Sequence, residues 1–234
     1  MPKRVGIKRR RTKKRSLKPY QKGYFRKSGF YGRFSGCAPG CAPELKYFDG
    51  NDQVSNVAAA GAVWDSLNEI PQGTTAITRI GRKAVIKSLK LNYTVQLPMQ
   101  TGESDPKHGD TVRMIVFIDK QANGATAAVT DILESAAWKS YYNLANSDRF
   151  QILLDKYHNL NYLTLAADQA NNFDQGEVEK HYLRNFKLNM PVEFSSTTGA
   201  ITEIRSNNIG ILWISNHAEA HVFMRWRLRF TDGG

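Results

Sequence analysis

The sequence predicts an all-β body, a sandwich or barrel of antiparallel strands, carried behind a basic arm. Three observations predict it. Apolar residues recur at every second position in two segments, 83–97 and 222–230, the periodicity of strands with one buried face. Between them, short β-branched runs are punctuated by Gly, Pro and Asn rather than joined by long helical patterns. The charge is also segregated: of 33 Lys and Arg, 14 fall within residues 1–43, where no acid occurs before Glu44. The remaining 19 bases face all 21 acids, so the arm carries +14 and the body −2. Such asymmetry suits a binder of nucleic acid or of an anionic surface.

The expected division is therefore an arm over 1–43 and one domain over 44–234, a size ordinary for a single core. The arm's bases are Lys3, Arg4, Lys8, Arg9, Arg10, Arg11, Lys13, Lys14, Arg15, Lys18, Lys22, Arg26, Lys27 and Arg33. Its first half has only Val5, Ile7 and Leu17 as sizeable apolar residues, too few for a membrane-seeking helical face. The second half interleaves Tyr20, Tyr24, Phe25, Phe30, Tyr31 and Phe34 with five of those bases and recurrent Gly. Cations for phosphates, rings for unstacked bases and a pliant backbone suit single-stranded nucleic acid. The plainer reading is a disordered arm whose rings dock on the body or on a neighbouring copy. The cluster Arg9 to Arg15 also has the composition of a nuclear-import signal, which would bring in host import machinery.

Along the body, Glu44 to Asp49 reads as a short aromatic strand, and Ala62 to Ile70 is mixed before a turn at Pro71-Gln-Gly73. Lys83 to Leu97 alternates, with Val85, Leu89, Leu91, Tyr93, Val95 and Leu97 expected inside and Lys90, Asn92, Thr94 and Gln96 outside. A polar loop over Met99 to Asp110 leads to the β-branched run Thr111 to Asp119 and a turn at Gln121 to Gly124. Ala127 to Ala137 lacks alternation and is expected to hold a short helix. Arg149 to Tyr157, Leu160 to Leu165, His181 to Leu188, Asn208 to Ser215 and Ala220 to Phe230 complete eight or nine strands. In the last, Val222, Met224, Trp226, Leu228 and Phe230 share one face, and Arg225, Arg227 and Arg229 share the other. These three arginines are candidate phosphate ligands; the alternative is a solvated face paired with acids on neighbouring strands.

Several function classes are excluded or demoted. No apolar run approaches the ~20 residues of a spanning helix, and mean hydropathy is −0.48, so no membrane insertion is expected. Bases in place of an apolar stretch after Lys3 argue against a secretory leader and for an intracellular start. No phosphate-binding P-loop, nucleophile elbow or His-Glu-x-x-His zinc motif occurs; no enzyme activity and no cofactor are expected. Cys37 and Cys41 could hold half of a zinc site, with His217 and His221 at the same spacing, but a Pro-Gly turn with free thiols explains the pair as well. Asp119, Asp148 and Asp155 could bind calcium between subunits, although loop acids are usually just solvated. Asn92-Tyr-Thr94 fits a glycosylation acceptor placed idly in mid-strand.

Several runs together resemble the coat proteins of small circular single-stranded DNA viruses, of circovirus-like and geminivirus-like type. They are Leu67-Asn-Glu-Ile-Pro-Gln-Gly73, Arg79-Ile-Gly-Arg82, Ile86-Lys-Ser-Leu-Lys-Leu91, Val112 to Gly124, Asn146 to Lys156 and the closing Arg229-Phe-Thr-Asp232. The resemblance implies a single eight-stranded jelly-roll sandwich with a disordered arm, self-assembling as a homo-oligomer of sixty copies into a T=1 icosahedral shell. It further implies single-stranded DNA as the cargo, residence in the virion, and passage through the host nucleus during assembly. From another class, a cellular RNA-binding or ribosomal-type β protein could share the basic tail and β body.

Overall fold

Strand alternation becomes architecture once register decides which strands are neighbours. The computed structural model describes residues 44–64, 67–98, 109–161 and 179–233. Their strands are β1 (Lys46–Val54), β2 (Ala62–Trp64), β3 (Lys83–Gln96), β4 (Asp110–Asp119), β5 (Phe150–Leu160), β6 (Glu179–Phe194), β7 (Ile204–Ser206), β8 (Asn208–Ser215) and β9 (His221–Asp232). One sheet has the order β1-β9-β3-β6-β7 and the other β2-β8-β4-β5; every pairing is antiparallel. Curled antiparallel sheets packed on one another in this way are like those of viral jelly rolls. Among the described residues there are nine strands, one more than eight, and two of them, β2 and β7, are three-residue strands at sheet edges.

The core lies between the sheets. From β9 it takes Val222, Met224, Trp226, Leu228 and Phe230, as alternation predicts. From β3 it takes Ala84, Ile86, Leu89, Leu91, Tyr93 and Val95. Val85 is the exception to the sequence reading: it is only part-buried, while Ala84 and Ile86 on either side are fully buried. The cause is a bulge between Ile86 and Ser88, where register slips against both β6 and β9; one extra residue exchanges the faces of everything before it. Trp226 also needs its neighbour: a Cβ on Gly50, its register partner, would come within 2.2 Å of the indole ring.

Other boundaries move as well. β1 and β6 run longer than the sequence suggests, and only Val129–Ile132 of the expected helix region is α-helical. β5 runs on from Tyr157 through Leu160, and the rest of the separate strand expected over Leu160 to Leu165 falls, from residue 162, outside the described residues.

In the second sheet β4 and β8 are buried on both faces. Val112, Met114, Val116, Ile211 and Trp213 face the sandwich, whereas Ile115, Phe117, Leu212 and Ile214 face a second cluster with Ile132, Leu133 and Phe150. The connector after β4 makes that cover. Arg113 fastens it, giving Nε and Nη2 to the two Asp155 oxygens at 3.0 and 2.8 Å, and Nη1 to the carbonyls of Trp138 and Ser140 at 3.2 and 2.6 Å.

Buried charges shape the loops. The Asp110 carboxylate accepts the Ser215 hydroxyl and the backbone N–H groups of Asn216, His217, Glu219 and Ala220, so it organises the β8–β9 turn. Arg79, fully buried, donates to the carbonyls of Ile70, Gly81 and Ser196 and lies 4.1 Å over the Phe194 ring. Through these main-chain oxygens it joins the loop before β3 to the loop after β6.

Two expectations follow from this packing. Trp226→Ala should cost about 3–5 kcal/mol in urea unfolding, because the side chain is 7% exposed and donates Nε1 to the Leu67 carbonyl at 3.0 Å. His158 is 1% exposed among Tyr93, Tyr182 and Trp213. Burial, and after it the nearby Lys156, Lys180 and Arg184, pushes it down to about 3. The unfolded chain takes up this proton near pH 6.5 and the folded chain only near 3, so stability should fall as pH drops through that window, on the order of a few kcal/mol. His158→Phe should flatten that part of the pH profile, with urea midpoints as the measure.

Candidate nucleic-acid interface

The outward face of the first sheet collects positive charge that no single strand shows. β9 presents Arg225, Arg227 and Arg229 outward, all exposed. Register places Lys90 beside Arg227 and Ser88 beside Arg229 on β3, and Lys187 beyond Ser88 on β6. On the other side β1 sets Tyr47 against Arg229, Asp49 against Arg227 and Asn51 against Arg225. Asn92 flanks Arg225 from β3.

The three arginines divide between the two readings of the sequence. Arg227 is paired: Nε and Nη2 reach the two Asp49 oxygens at 2.7 and 2.6 Å, and the guanidinium lies 5.3 Å over the Tyr47 ring. The hydrogen bond from Arg227, against a smaller opposing effect of burial, holds the Asp49 carboxyl below its ordinary range. Arg225 and Arg229 have no acidic partner among the described residues, nor have Lys90 and Lys187. Acids return only at the margins, Glu193 in register with Lys83 and Glu179 3.3 Å from His181.

At the centre is a depression of about 420 Å³ rimmed by Asp49, Asn51, Lys90, Asn92, Arg225 and Arg227. Tyr47 and Phe223, 43% and 36% exposed, stand on the same face. Cations, amides and rings together offer phosphate pairing, base-edge hydrogen bonding and stacking. Lys90, Lys187 and the two asparagines are additions to the sequence reading. The polar side of β3 was legible from alternation, but its place beside β9 is a long-range pairing that no local pattern encodes.

The other sequence candidates fare differently. The fourteen arm bases, Tyr20, Tyr24 and Phe25, and the pair Cys37 and Cys41 lie outside the described residues. Asp119 and Asp155 are occupied by arginines: Arg149 holds Asp119 at 3.0 and 2.8 Å, and Arg113 holds Asp155. Asp148 engages Lys120 through its main-chain carbonyl. Among the described residues no three His, Cys, Asp or Glu are grouped to hold a metal ion. His217 and His221 bracket the turn set by Asp110, and His217 Nε2 is 2.8 Å from the Asn216 amide.

Comparison with known proteins places the body. Residues 43–233 match the family model described as satellite tobacco necrosis virus coat protein. The coat protein of Maize white line mosaic satellite virus is 26% identical over 180 residues, 75% of each chain. Among solved structures, Desmodium yellow mottle tymovirus aligns over 99% of this chain and 95% of its own at 12% identity and a TM-score of 0.33. The 60-mer BFDV capsid protein aligns over 81% and 92% at 9% identity and a TM-score of 0.31.

The split among the arginines has a measurable outcome. Arg225→Gln with Arg229→Gln should reduce the slope of log affinity against log salt for a single-stranded oligonucleotide by about 1.4, at roughly 0.7 per phosphate contact. Arg227→Gln should change it less, since that charge is already matched. Fluorescence anisotropy across a salt series reads both.

Proposed function

The chain belongs to the satellite tobacco necrosis virus coat protein family, and on that premise we propose that it is the subunit of a small icosahedral shell that encloses single-stranded nucleic acid. A coat protein is structural, which agrees with a sequence free of catalytic motifs. We read the two sheet orders as an eight-stranded jelly roll with β7 added at one edge. The proposal gives the arm 1–43 the condensation of the strand, and the outward face of β1-β9-β3-β6 the inner wall.

The observation that carries this reading is the set of exposed cations Arg225, Arg229, Lys90 and Lys187 on one sheet face, none of them with an acidic partner among the described residues. Like charges this close repel unless an anion lies over them. They have the same sign as the arm. Sixty copies, the T=1 number implied by the resemblance in sequence, would bring roughly 840 arm charges, enough to neutralise much of a kilobase-scale strand. DNA as the cargo rested on the resemblance to circular single-stranded DNA virus coats; the family that matches is a satellite virus one, and the chemistry of face and arm serves either sugar. Family membership also displaces the alternative of a cellular RNA-binding or ribosomal protein. The cluster Arg9 to Arg15 is proposed in addition as an import signal to the host nucleus.

Deletion of residues 1–34 tests the division of labour. The body should still fold and assemble, particle nucleic acid should fall several-fold by absorbance ratio, and the protein should shift from nucleus to cytoplasm in host cells. Undiminished cargo would overturn the role of the arm.

A further inference from the structure

We propose that the depression on the β1-β9-β3 face is a nucleoside subsite that holds one base of the enclosed strand in each subunit. The inference rests on the reading above, that this face meets the nucleic acid, and goes beyond it by assigning an ordered position to a cargo otherwise bound through charge alone.

The charge pattern separates the place for a base from the places for phosphates. Asp49 and Arg227 neutralise each other in the middle of the face. A phosphate gains little there, whereas a neutral base finds both an acceptor and a donor. Arg225 and Lys90, which share the rim, are uncompensated and suit the flanking phosphates; Arg229 and Lys187 continue the positive track. Asn51 and Asn92 stand on either side of Arg225 in register. Across two strand spacings they are about 10 Å apart, with Arg225 between them, so a base laid over that guanidinium has an amide near each edge. A side-chain amide donates and accepts, so such a pair meets any base edge by turning over. The volume falls at the lower end of ordinary ligand sites and has room for a nucleoside. Tyr47, next to Arg229 and against Arg227, and Phe223, at the other end of the arginine row, offer rings to the neighbouring bases.

Ultraviolet crosslinking of assembled particles of the full chain, followed by mass spectrometry of peptides, tests this. Nucleotide adducts are expected on peptides containing Tyr47 or Phe223 as well as on the arm. Asn51→Ala with Asn92→Ala should cut the adducts on the face at least five-fold and leave the arm adducts unchanged. Both asparagines are exposed, so the variant keeps its core. Adducts confined to the arm, or adducts on the face indifferent to the two substitutions, would overturn the subsite while leaving the coat function intact. Loss of assembly in the double variant with nucleic-acid binding preserved would overturn it in favour of a contact between subunits. Particles devoid of nucleic acid would instead overturn the proposed function itself.

Discussion

Strand β9 turns five apolar side chains inward and its arginines outward because it is hydrogen-bonded along both edges, to β1 and to β3. A strand so held has no freedom to slip: one residue of shift would bury three guanidinium groups and expose Trp226. The same constraint therefore fixes the core and the charged face. Gly50 belongs to it, since the indole occupies the space where any other residue on β1 would place its side chain. So does the pair of Asp49 and Arg227, which ties β1 to β9 on the outside at the row next to the one where Gly50 and Trp226 meet within. Removing the alternation would dismantle the sandwich and the interface together.

Around this sheet the loops are held by buried charges that meet the backbone more than each other. Asp110 gathers four amides and a hydroxyl into the β8–β9 turn, and Arg79 gathers three carbonyls from two separate loops. Main-chain groups in loops must find partners somewhere, and a single ion that supplies several at once fixes a shape that short-range turn chemistry leaves open. For Arg79 the cost of burial is visible in a guanidinium pushed down from its ordinary range by burial, partly offset by Glu203.

What the sequence disclosed follows the reach of each signal. Alternation is local, and it identified both faces of β9 and the polar side of β3. The bulge near Lys87 is a change of one residue that leaves the composition of the segment untouched, and Val85 was accordingly assigned to the wrong face. The three-residue β7 is too short for any period to register, and the roles of Arg79 and Asp110 depend on partners up to 117 and 110 residues away. Half of the candidate interface was legible for the same reason. The arginines announced themselves by spacing, but Asp49, which silences one of them, and Asn51 and Asn92, which flank another, were ordinary polar residues until pairing brought them together. The basic segment 1–43 is read from composition alone and lies outside the described residues.

The double burial of β4 bears on how the chain survives its own synthesis. Val112 to Ile118 is nearly all apolar and β-branched or aromatic, the composition of a segment that stacks into aggregates when left bare. One of its two hydrogen-bonded neighbours, β5, follows soon after, but the other, β8, lies some hundred residues downstream, and contacts of that separation form late. The cover made by Ile132, Leu133 and Phe150 follows directly in the chain. One side of the hazardous strand can thus be shielded while the ribosome is still producing β6, which leaves less time for it to find the same strand in another nascent copy. The cover for the outer face of β4 is thus encoded next door in sequence, while the partner on one of its edges is encoded far away.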